Sequence, residues 1–242
     1  MLTKIATHRV DIAVPVRPYA VGMVTATMKM TAIAIAIVDA TGIACFMVFI
    51  IAGEPFGTLN DIANGVVGAL STVLALQMYK RSEPDRLRVA PAASILGGAI
   101  MIIGSVLVIF DITDWYLSGL VSSLGAAFIG LWLFIGDRWR GGLLELPAHT
   151  RLLGRVTGIV MMFGLLAIPG ILTGVDIWEL SPWYVTASQV SWLGTYLLFP
   201  IWCVLLSLSR RPARVSPRRT YGPVRPRRSA PPKSAGAPNE RG

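Results

Sequence analysis

Residues 31 to 40 read "TAIAIAIVDA", and the fold turns on whether this alternation is a strand or a helix. A half-buried strand alternates apolar with polar residues. Here both alternating positions are apolar, so there is no polar face, and the apolar run continues to Ala52. A transmembrane barrel strand needs only about 10 residues and presents a polar face inward. A helix crossing a bilayer core about 30 Å thick needs around 20 apolar residues. The run supplies that length, so it reads as a helix.

The same window along the chain finds six spans, at 31–52, 59–79, 89–110, 116–136, 152–174 and 186–208. Composition agrees: the chain is 54% hydrophobic and 14% charged, against roughly 25% charged in a soluble domain. The expected fold class is therefore all-α, a polytopic integral membrane bundle of six transmembrane helices over 31–208 with disordered termini. Residues 1–30 form an N-terminal segment. They are mixed in charge, carry Pro15 and Pro18, and have no apolar run of the kind a cleavable signal needs.

Charge placement predicts the orientation. Lys4, Arg9, Arg17 and Lys29 precede the first span. Lys80, Arg81, Arg86 and Arg88 join the second to the third, and Arg138, Arg140, Arg151 and Arg155 surround the connection from fourth to fifth. The alternate connections carry acids: Glu54 and Asp61, Asp111 and Asp114, Asp176 and Glu179. Basic residues mark the cytoplasmic side, so both termini are expected in the cytoplasm, with the chain in the cell (inner) membrane. Phe56, Trp115, Tyr116, Trp178, Trp183 and Tyr184 make an aromatic belt at the outer boundary, with Tyr79 and Trp139 at the inner one.

Residues 209–242 change character. Ten Lys and Arg against Glu240 alone give this tail a net +9, equal to the +9 of the whole chain. With seven prolines and few apolar side chains, it reads as a disordered basic tail. Its expected partners are membrane lipids, through anionic head groups, at about 1 kcal/mol per basic residue near the surface. A purely topological role is the alternative, and a protein partner or a homo-oligomer stays open. Nucleic acid is not expected, because no folded basic domain accompanies the tail and only Tyr221 could stack on a base.

Between the first two spans lies "GEPFGTLND", residues 53–61. Thr58 followed three residues later by Asp61 has the spacing of a capping box for the second helix. Pro55 and Gly57 supply the turn, and Asn60 and Asn64 are unexplained by it. Asn64 is expected to line a vestibule at the outer face. The segment resembles one found in an uncharacterised family of small bacterial six-helix integral membrane proteins, where a PFGTxND-like stretch joins the first two helices. The likeness covers residues 53 to 79, with a looser match in "GAAFIGLWLFIGD". It implies the six-helix fold and carries no chemistry.

Within the spans, Gly68, Gly125 and Gly194 occupy comparable positions in the second helix of each hairpin and suggest three hairpin repeats. Ser122, Ala126 and Gly130, and the pair Gly154 and Gly158, are small-residue stripes suited to close helix packing. Pro169 and Pro200 are expected to kink the fifth and sixth helices.

Asp39 is the one ionisable residue well inside a span, eight residues past Thr31 and so about 12 Å deep. A carboxyl there must be protonated, bind a cation or hydrogen-bond to hydroxyls. Counting from the helix ends puts Ser71 and Thr72 at its level, with Ser94 nearby. Two readings follow: a proton or cation site in a transport path, or a neutral carboxyl bonded to the second helix as interhelical glue, worth about 0.6 kcal/mol.

The spans hold no histidine for a haem and no lysine for a Schiff base, and no second aspartate lies well inside a span to make a proteolytic dyad. The chain has no HExxH and no P-loop. Cys45 and Cys203 lie at different depths, too far apart for a disulfide. No cofactor, metal site or catalytic constellation is therefore expected. Two functions remain: a non-enzymatic membrane protein acting through lipid or protein contacts, or a proton- or cation-coupled transporter of small solutes using Asp39.

Overall fold

The computed structural model describes residues 24–80, 89–139, 146–177, 179 and 181–209. Most of segment 1–30 and nearly all of tail 209–242 lie outside the described residues. The described chain is all-helical, and six helices are long and apolar enough to cross a membrane. They are α1 (Ala26–Ala52), α2 (Phe56–Tyr79), α3 (Val89–Ile109), α4 (Trp115–Trp139), α5 (Ala148–Thr173) and α6 (Trp183–Leu208). This is a multi-pass membrane protein.

Several helices start earlier than hydropathy placed them. The first turn of α1 is polar enough to be skipped by an apolar window, yet it is well capped. The extended Thr25 accepts from Met28 N–H at 3.2 Å through its hydroxyl. Lys29 in that turn donates from Nζ to the Ser209 carbonyl at 2.7 Å, which fastens the start of α1 to the end of α6. Gly53 ends α1 at φ 71° with its N–H on the Phe49 carbonyl, a conformation open to glycine at little cost.

Each helix packs on the next in sequence, and α1 packs on α6, which closes the ring. Glycines bring the middle four helices into backbone contact. A Cβ on Gly98 would meet the Gly68 carbonyl, one on Gly97 the Gly125 carbonyl, and one on Gly158 the Gly130 carbonyl. Hydrocarbon offers no hydrophobic gain for helix association, so this close packing is what joins them. The expected stripes are used inside the bundle: Ser122 meets Gly104 of α3, Gly130 meets α5, and Gly154 receives the Trp202 ring of α6. Gly68, Gly125 and Gly194 all sit at helix contacts, against Gly98, Gly97 and Met161 respectively.

Both prolines lie beside departures from α-helix. In α5 a 3₁₀ stretch at Phe163–Ala167 precedes Ile168–Thr173; Pro169 cannot donate to the carbonyl of Leu165 inside that stretch. In α6 a π turn at Gly194–Leu198 runs into Phe199–Leu208, and the carbonyl left without its Pro200 donor is that of Tyr196.

Toward the end that carries the basic loops, the bundle is filled. Met28, Ile35, Leu74, Met78, Ile129, Trp132, Phe199, Trp202 and Leu206 are all buried. Trp202 stacks on Phe199 with centroids 5.9 Å apart and meets Trp132 edge-on at 6.2 Å, geometries favoured by the ring quadrupoles. The apolar side chains left exposed, such as Met30, Ile37, Ile51 and Ile103, suit a lipid-facing surface.

Two alanine substitutions separate backbone contact from mere glycine content. Gly98→Ala puts a methyl 2.5 Å from the Gly68 carbonyl oxygen and should cost about 1–3 kcal/mol, as overpacking does. Gly119→Ala meets only the Trp192 ring at 3.4 Å, an ordinary contact, and should leave stability unchanged. Thermal unfolding of both variants in detergent checks this, with a lowered midpoint expected for Gly98→Ala alone.

Candidate functional site

The opposite, acidic half of the bundle is hollow. A cavity of about 100 Å³ lies between α1, α2, α3, α4 and α6, room for several waters. Its rim carries Glu54 and Trp115, and its far end reaches Met101, Ala126 and Tyr196.

The α2 wall follows from where that helix begins. Hydropathy placed the start near residue 59 with Thr58 and Asp61 as the cap; the helix starts at Phe56, behind Pro55. Thr58 is therefore inside the first turn and needs an acceptor for its own N–H. Glu54 supplies it: one carboxylate oxygen accepts from Thr58 N–H at 3.2 Å and from its hydroxyl at 2.8 Å. The capping acid is Glu54, which corrects the expected Thr58–Asp61 box. Asp61 instead lines the cavity, together with Gly57, Asn60 and Asn64, positions that share one helical face.

Asn60 and Asn64 are buried, and each offers its carboxamide oxygen to the Tyr196 hydroxyl, at 3.2 and 2.9 Å. A phenol has a single proton, so Tyr196 holds both amides with one donor. Tyr196 stands in the π turn of α6, a type of irregularity frequent at functional sites. One turn earlier, Trp192 donates its indole N–H to the Ser123 hydroxyl at 2.8 Å and meets Phe46 edge-on with centroids 6.2 Å apart. Phe46, Phe49, Trp115 and Trp192 give the cavity its aromatic wall.

Asp39 of α1 is not among the residues that line the cavity. It is 1% exposed, and neither carboxyl oxygen has a hydrogen-bond partner among the described residues.

The other expected neighbours of Asp39 are engaged elsewhere. Thr31 accepts from Gln77 Nε2 at 3.1 Å, and Gly42 faces Ala63 and Asn60. This register sets Asp39 opposite Val67, about one turn from Ser71. Starting α1 at residue 31 instead of Ala26 produced the misplaced level. Thr72 donates to the carbonyls of Gly68 and Ser94, and the Ser94 hydroxyl donates to the Ser71 carbonyl. These three residues join α2 to α3. The Ser71 hydroxyl, like Asp39, has no partner among the described residues.

Of the residues singled out from sequence, Asn64 and Asp61 line the cavity and Asp39 is buried outside its lining; Ser71, Thr72 and Thr58 serve other contacts. Sequence reasoning passed over Tyr196, Trp192, Phe46, Phe49 and Glu54. One signal was available: Tyr196 precedes Pro200 by four residues, so the expected kink already located it. Cys45 and Cys203 are free thiols.

Comparison with protein-family models, with curated proteins and with solved structures gives no match for this chain.

Proposed function

We propose that this protein is a carrier of small solutes coupled to a proton or a cation at Asp39. One observation carries the reading: beside a cavity in one half of the bundle, lined by Asn60, Asp61, Asn64 and Tyr196, the same bundle buries a carboxyl, Asp39, that has no hydrogen-bond partner among the described residues. A carboxyl in that position requires a neutralising proton or cation, and acids so placed in membranes mark ion paths.

The positive-inside pattern sets the acidic half outward and both termini in the cytoplasm. The cavity then opens to the outside, while the Phe199–Trp202–Trp132 cluster closes the cytoplasmic half. Alternating access needs one side open and the other sealed around a site near the midplane. The basic tail would hold anionic lipid head groups on the cytoplasmic face.

Carbodiimide modification of native membranes, read by mass spectrometry, tests the role of Asp39. Carbodiimides attack the protonated carboxyl, so labelling should fall as pH rises or be blocked by sodium, and should vanish in Asp39→Asn. An Asp39 inert at every pH would sink the coupling reading.

Tyr196→Phe gives a second test. It removes the hydroxyl that holds Asn60 and Asn64, a net contribution of about 1 kcal/mol. Labelling of Asp39 should then speed up about fivefold. An unchanged rate would mean that Tyr196 does not guard access.

A further inference from the structure

We infer that the ligand of this cavity is a small organic cation of the ammonium type; the inference rests on reading the cavity as the solute site. Its lining contains two carboxylates, Glu54 and Asp61, and no Lys, Arg or His. An anion would face both carboxylates with no counter-charge beside it. A neutral polar solute could use Asn60 and Asn64 but would gain nothing from the acids.

The aromatic wall separates organic from inorganic cations. Phe46, Phe49, Trp115 and Trp192 contribute four ring systems to one small cavity. The Trp192 ring is fixed at its N–H by Ser123 and at its edge by Phe46, so it offers a pre-set surface. A cation within about 6 Å of a ring face is drawn to the π cloud, and alkylated ammonium groups gain most because they shed water easily. A hydrated sodium ion would bind carboxylate and amide oxygens and leave the rings unused.

Tetramethylammonium is a suitable probe, titrated into the full-length protein in detergent micelles while tryptophan emission is followed. Sodium, acetate and tert-butanol at matched ionic strength serve as comparators. Tetramethylammonium should change the emission saturably, and the comparators should not. Asp61→Asn and Glu54→Gln keep side-chain shape while removing charge. Asp61→Asn should weaken binding about tenfold or more, with Glu54→Gln smaller in the same direction, in variants that remain monodisperse.

Equal responses to tert-butanol or acetate would overturn the inference, as would sodium reproducing the tetramethylammonium response, or both variants binding with wild-type affinity. Saturable tetramethylammonium binding alongside a carbodiimide-inert Asp39 would keep the ligand class and remove the coupling reading. A reactive Asp39 with no tetramethylammonium binding would do the reverse.

Discussion

Backbone contact through glycine is the constraint on which the rest of the bundle depends. Gly68 on Gly98, Gly97 on Gly125 and Gly130 on Gly158 draw α2, α3, α4 and α5 together until a methyl group would no longer fit. In hydrocarbon such contacts supply dispersion and weak Cα–H hydrogen bonds where no hydrophobic effect operates. The two outer helices of the sequence join differently. α1 and α6 add side-chain links to the glycine contacts of Gly42 on Ala63 and Gly194 on Met161: Lys29 on the Ser209 carbonyl, Gln77 on Thr31, Phe46 on Trp192. The cavity opens where α1 and α6 face α2, α3 and α4.

Asp39 and Tyr196 belong to these two helices, one on α1 and one on α6. A buried carboxyl without partners opposes folding unless it is neutralised. Asp39 is therefore a cost to folding that its described surroundings do not offset. The neighbouring polar side chains make the contrast. Thr72 and Ser94 satisfy themselves on carbonyls across the α2–α3 seam, which is the bland arrangement a structural polar residue adopts. Asp39 had the same option in principle and does not take it.

The fold was legible because the bilayer leaves few choices. Long apolar blocks must be helices when every backbone group has to be satisfied within the chain, and the run from Thr31 to Ala52 was enough to exclude a barrel. Helix starts were less legible, since polar first turns such as Thr25 to Lys29 and Phe56 to Thr58 fall below any hydropathy window. Those few residues mattered. They moved Asp39 by about a turn away from Ser71, and they turned Asp61 from a cap into a cavity residue. The aromatic wall was not legible at all. Phe46, Phe49 and Trp192 look like ordinary membrane-helix residues until the α1–α6 contact brings them to one face.

The π turn of α6 ties these features together. Pro200 takes a donor away from the Tyr196 carbonyl, and hydrocarbon penalises an unpaired carbonyl by several kcal/mol. Widening the turn at Gly194–Leu198 adjusts the backbone hydrogen bonds there. Tyr196 lies in that turn, with its hydroxyl on Asn60 and Asn64. On the proposed reading, a cation in the cavity competes for the same two amide oxygens. That hydroxyl fixes the α2 face that the cavity presents to a solute, so the kink at Pro200 and the shape of the cavity depend on one another.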